Sequence, residues 1–169
     1  MFRHLMLALP LLACASTVSA AVHTIHVDLN GAQERPTPVN TPGTGMAMVT
    51  FDDLTGQMTV NGTFQGLTAN ANNAHVHGYA PLGQPGQPGT AAGVVFGIQF
   101  TPAMSGTISG SGTIPQDRID DVLAGLTYIN VHSVGQYAGG EIRGQIIVPE
   151  PASLALVGLP ALLLMRRRR

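Results

Sequence analysis

Three histidines are the residues best placed to do chemistry in this chain. His75 and His77 stand one residue apart in Ala74-His75-Val76-His77-Gly78, and His132 follows in Tyr128-Ile129-Asn130-Val131-His132-Ser133. Residues i and i+2 of a strand share a face, so two imidazoles can converge on one ion. Neutral imidazoles suit zinc or copper, and three of them leave a fourth position open. A structural reading competes with this one. The same rings can hydrogen-bond to backbone, or to Glu141 and Asn130, and so fix the loop that follows His77. The sequence leaves both open. Other chemistry is thin. No serine occupies a nucleophile elbow, and no Gly-rich phosphate loop opens a helix. Asp52-Asp53 and Asp120-Asp121 read as turn and helix-start residues, not as acid/base or calcium pairs. Met46 and Met48 read as core filler, not as a copper–thioether pair. Glu141 and Arg143, also at i and i+2, read as a surface pair worth under about 1 kcal/mol. No catalytic residue is expected.

Histidines at this spacing need strands to carry them, and the body of the chain has the pattern of strands. It is rich in Gly, Thr and Val and poor in Lys, Glu and Leu, which favours short strands and tight turns. Period-two alternation places Ile25, Val27 and Leu29 on one row, then Ala47, Val49 and Phe51, then Met58, Val60 and Phe64. Segments 46–52 and 57–64 predict a hairpin, joined by a turn at Asp53-Leu54-Thr55-Gly56. Ala74 and Val76 alternate with the two histidines, and Val94, Phe96, Ile98 and Phe100 make an apolar strand face. A weaker strand is expected within 104–114. One short helix follows, with Asp117 as its cap, Ile119, Val122 and Leu123 as its apolar side, and Gly125 as its stop. Two closing strands then set Ile129 and Val131 against Tyr128, Asn130 and His132, and Ile142, Ile146 and Val148 against Glu141, Arg143 and Gln145. The expected architecture is mainly β: an antiparallel β-sandwich or Greek-key barrel with one short helix. The longest irregular stretch is Gly78–Gly93, a loop directly after the histidine pair.

Both ends of the chain read as address labels. Met1–His4 carries Arg3, Leu5–Ala13 is apolar, and Val18-Ser19-Ala20 fits a small-residue cleavage site, so residues 1–20 read as a secretory signal peptide. A lipoprotein signal cut before Cys14 is the competing reading. Cys14 is the single cysteine, so cleavage after Ala20 leaves a body without disulfides. At the other end, Val148-Pro149-Glu150-Pro151 precedes the 14-residue apolar run Ala152–Met165 and then Arg166-Arg167-Arg168-Arg169. A permanent span needs about 20 residues, so this run reads as a transient anchor with a basic stop. Between these ends lies one domain, residues 22–148. Three arginines (Arg35, Arg118, Arg143) face eight carboxylates over Ala21–Pro149, a net charge of −5. No lysine is present, and an acidic body of this kind argues against nucleic acid as a partner.

The C-terminal order of parts resembles the PEP-CTERM sorting tail of Gram-negative bacteria. That resemblance makes Pro149, Glu150, Pro151 and Arg166, Arg167, Arg168 and Arg169 a sorting motif. It implies an exosortase and signal peptidase as processing enzymes, and a product in the envelope or outside the cell beside exopolysaccharide or another envelope protein. The body resembles the CHRD domain, named from chordin. The match is carried by Leu29-Asn30-Gly31-Ala32-Gln33-Glu34, Ala74-His75-Val76-His77-Gly78, Tyr128-Ile129-Asn130-Val131-His132-Ser133 and Gly140-Glu141-Ile142-Arg143-Gly144-Gln145. It makes Tyr128, Asn130, Glu141 and Arg143 family-motif residues and implies an extracellular, non-enzymatic β-rich module. The His75-x-His77 strand, with Arg143 on a late strand, also loosely resembles the copper strand of Cu/Zn superoxide dismutase, an analogy of arrangement only. From it comes the second functional expectation, a secreted copper- or zinc-binding protein, dismutase-like or for metal storage.

Overall fold

The computed structural model describes residues 21–79 and 90–149. The expected signal peptide at 1–20, the middle of the Gly78–Gly93 loop and the sorting segment from Glu150 onward lie outside the described residues. Nine strands form a single antiparallel sheet in the order β5-β4-β8-β9-β1-β2-β3-β7-β6. They are β1 (Val22–Asn30), β2 (Thr44–Asp52), β3 (Gln57–Gln65), β4 (Ala71–His77), β5 (Val94–Gly97), β6 (Gln99–Phe100), β7 (Gly106–Thr113), β8 (Tyr128–Ser133) and β9 (Ile142–Gln145). Of the two expected architectures the barrel is the nearer, because the two edges of the sheet almost meet. β5 pairs with β4, and β6 pairs with β7 at the opposite edge. Only Ile98 separates β5 from β6, and its N–H donates to the Ala74 carbonyl at 3.0 Å. One extended run therefore leaves one edge and joins the other, which removes the open strand edges a flat sheet would present.

Alternation fills the interior as the sequence predicts. Ile25, Val27 and Leu29, Val49 and Phe51, Met58 and Val60, Ala74 and Val76, Ile129 and Val131, and Ile142 and Ile146 are all buried in one core. The hairpin is present as β2 and β3, in continuous register from Thr44↔Gln65 to Phe51↔Met58. Its turn is held by Asp52, whose Oδ1 accepts from the Leu54 and Thr55 N–H groups at 2.9 and 3.0 Å. Gly56 sits at φ +74°, a left-handed conformation that side-chain-bearing residues rarely adopt.

Several expectations are corrected. Met46 and Met48 are not core filler: they lie on the outer face, 63% and 47% exposed, while Ala47 and Val49 between and beyond them point inward. A period-two strand sends every second residue outward whatever its hydrophobicity. Val94 is exposed and Ile98 alone of its row is fully buried, because the run changes partner at Ile98. The helix, α1 (Ile119–Leu123), is entered through a tight turn at Gln116–Arg118, and Asp117 caps nothing. Asp121 instead pairs with Arg118 at 2.8 Å. Ile119 and Val122 are buried, Leu123 faces outward, and Gly125 ends the helix at φ +72°.

Candidate functional site

β4 and β8 are neighbours on the sheet, and His75 and His77 of β4 share the outer face of the barrel with Tyr128, Asn130 and His132 of β8. His77 stands opposite Tyr128 and His75 opposite Asn130. His132 is two residues beyond Asn130 on β8, so it meets His75 on the diagonal, a separation that aromatic rings can bridge. The register places all three imidazoles together. Their ligand nitrogens lie within 4.8 Å of one another. His75 Nδ1 and His132 Nε2 are 3.3 Å apart. Ring centroids are separated by 5.4 Å for His75–His77, 5.2 Å for His75–His132 and 5.9 Å for His77–His132.

Outer-face residues of a barrel strand usually meet solvent, yet β8 and β9 are buried along their whole length. Loops cover them. The backbone at Thr90 and Ala92 lies over Arg143, Tyr128 and His77, and the segment after β8 folds back over His132. His77 Nδ1–H donates to the Ala92 carbonyl at 2.9 Å, and His132 Nδ1–H donates to the Ala138 carbonyl at 3.0 Å. Each ring thereby has its proton fixed on Nδ1 and its Nε2 lone pair turned to the acceptor or ligand role. His132 Nε2 accepts from His75, whereas His77 Nε2 is buried without a hydrogen-bond partner. Desolvation is the main cause that pushes all three histidines below the ordinary imidazole pKa, and His77 is lowered further by His132, His75 and Arg143. The rings are therefore neutral at pH 7, the form that ligates metals.

The structural reading of the histidines holds for the backbone bonds and fails for the side-chain ones. Neither Glu141 nor Asn130 touches the three rings by a hydrogen bond. Asn130 Nδ2 donates to Glu34 Oε2 at 3.2 Å. Glu141 receives the Thr68 N–H at 2.8 Å and the hydroxyls of Thr41, Thr68 and Ser133. The expected Glu141–Arg143 surface pair is also corrected: both residues are 0% exposed and each serves a different loop. Arg143 lies 3.6 Å over the Tyr128 ring, which stacks in turn on His77 at 4.9 Å and 6°. Its Nη1 donates to the Thr90 carbonyl at 2.8 Å and its Nη2 to Gln145 Oε1 at 2.6 Å. The stack Arg143–Tyr128–His77 ties β9, β8 and β4 together across the outer face.

Sequence reasoning missed the carbonyls of Ala92 and Ala138 and the hydroxyls around Glu141, since a backbone acceptor leaves no mark in residue type. Glu34 was legible only as part of a motif. It is 4% exposed, and burial raises its pKa to about 7. Of the expected sorting motif only Pro149 is among the described residues; Glu150, Pro151 and Arg166–Arg169 lie outside them. No helix among the described residues is long and apolar enough to cross a membrane.

Comparison with known proteins returns one family: the CHRD domain model matches residues 25–146. No curated protein and no solved structure matches. The matched span begins in β1, ends one residue past β9, and contains every histidine, carboxylate and arginine of the covered outer face. This chain belongs to the CHRD domain family.

Proposed function

We propose that the protein is an exported, non-enzymatic CHRD module of the cell envelope or extracellular matrix. The supporting observation is the use made of the buried polar residues. Glu141, Arg143 and Tyr128 each hold loop backbone by hydrogen bonds, which suits a rigid display scaffold better than a reaction centre. Residues 1–20 would direct export. Pro149-Glu150-Pro151, the apolar run and Arg166–Arg169 would hold the chain at the membrane until an exosortase removes them. The finished module would then be released among exopolysaccharide or attached to another envelope component. Mass spectrometry of the protein recovered outside the cell tests this. The expected N-terminus is Ala21, with a C-terminus upstream of Arg166. An intact Arg166–Arg169 tail on extracellular material would overturn processing.

A second reading, binding of copper or zinc by His75, His77 and His132, is favoured by a specific observation. Three neutral imidazoles converge with two protons directed away onto backbone carbonyls, and one inward nitrogen is buried without a partner. Backbone acceptors on the far ring nitrogen are the usual support of a histidine ligand. A metal would give His77 Nε2 the partner it lacks.

A further inference from the structure

This inference rests on the metal-binding reading and goes on to the identity of the ion. We propose that the site is built for one monovalent copper ion, held in three-coordinate fashion by His77 Nε2, His132 Nε2 and His75 Nδ1. The ligand atoms follow from the tautomers. The Ala92 and Ala138 carbonyls hold the protons of His77 and His132 on Nδ1, so only Nε2 is available on each. His75 offers Nδ1 toward the same point, 3.3 Å from His132 Nε2. Its proton moves to Nε2 when the ion enters. Trigonal bonds of about 2 Å require nitrogens about 3.5 Å apart. One pair is already closer than that and the others are within 4.8 Å, so small ring adjustments complete the set. His75 is the least buried of the three residues.

Charge selects the ion. Among the described residues the cluster holds no carboxylate and no thiolate. The two nearby motif carboxylates are engaged elsewhere, Glu141 by Thr41, Thr68 and Ser133, and Glu34 by Asn130. The charged group stacked next to the cluster is the Arg143 guanidinium, a cation 3.6 Å over the Tyr128 ring that stacks on His77. Three neutral donors beside a cation offer nothing to balance a second positive charge. The Born penalty for bringing an ion into such a place grows with the square of its charge, about fourfold from monocation to dication. Zinc would have to bring a water molecule into this covered site as its fourth ligand, whereas monovalent copper is satisfied by the three nitrogens alone.

The test is an anaerobic titration of the untagged full chain with monovalent copper against a chromophoric chelator, with zinc and divalent copper titrated in parallel. One monovalent copper per chain is expected, with zinc weaker by on the order of 100-fold. X-ray absorption of the copper-loaded protein should show three nitrogen neighbours. His77→Gln and His132→Gln should abolish binding, while His26→Gln on the far strand leaves it unchanged. Zinc equal to or tighter than monovalent copper at these residues would overturn the choice of ion and leave the metal-binding reading standing. Absence of any bound cation, or binding that survives both substitutions, would overturn the two together. Should those variants fold poorly, the nitrogen count in the wild-type protein decides alone.

Discussion

Glu34 shows how far a single residue can depart from its appearance in sequence. Its carboxyl is enclosed by Asn130 and the turn at Gly140, and loss of water raises its pKa to about 7. Asn130, Arg143 and Arg35 pull in the opposite direction without overcoming burial. The sign of the consequence is fixed by linkage. Between about pH 4.5 and pH 7 the folded chain keeps a proton that the unfolded chain has released. Stability from this group is thus complete below the lower value and is lost as pH rises through the upper one, by roughly 3 kcal/mol at most. Glu34→Gln should remove that dependence: thermal melts of variant and wild type should diverge steadily from pH 5 to pH 8 in favour of the variant. Parallel melting temperatures across that range would show that Glu34 titrates normally. The residue scale was the least legible in sequence. The His75-x-His77 spacing announced a shared face because period two is a property of the strand itself. Glu141 and Arg143 carry the same spacing and look like an exposed pair in sequence, because nothing in residue type reveals that a loop will cover an outer face.

At the scale of elements the pattern was clearer. The β2–β3 hairpin and the β1 core row follow directly from alternation and a Gly-containing turn, both local. Two features depended on distant contacts. The run from Val94 to Phe100 switches partners at Ile98, and β9 passes so close to β1 that its inner row has no room for a side chain at Gly144. A Cβ there would lie 2.6 Å from Val27 Cγ1 and 2.8 Å from the Asp28 carbonyl oxygen. Gly144→Ala should therefore push β9 away from the sheet and destabilise the fold by about 1–3 kcal/mol, the range for an overfilled core. Gly139→Ala is the control, since nothing lies within 4 Å of a Cβ at that position. Chemical denaturation of both variants measures the difference. An unchanged midpoint for Gly144→Ala would mean that β9 is not clamped as described. Because β9 carries Arg143 on its opposite face, the same substitution should also disturb the Tyr128–His77 stack, visible in the near-ultraviolet dichroism of Tyr128.

The whole molecule is held without covalent cross-links in the described body, and this makes its stability a question of closure. Cys14 is the single cysteine of the chain and precedes the body entirely. Continuous antiparallel pairing runs from β4 through β8, β9, β1, β2 and β3 to β7, and the 94–100 run bridges the ends. The interior is one hydrophobic cluster that takes residues from every long strand and from the α1 connection. Such a body has no boundary at which part of it can open alone, so it should unfold in one cooperative step. Small domains whose core is too small ordinarily draw on disulfides; here the core and the loop-locking buried polar residues take that role. The domain should accordingly show a single thermal transition whose midpoint is the same with and without a thiol reductant. A midpoint lowered by reductant would require a covalent link between chains, and two transitions would mean that the outer-face loops over β8 and β9 melt apart from the barrel. The second outcome is the more instructive, because those loops supply the Ala92 and Ala138 carbonyls. If they released first, the imidazoles of His75, His77 and His132 would lose their fixed tautomers while the barrel remained intact.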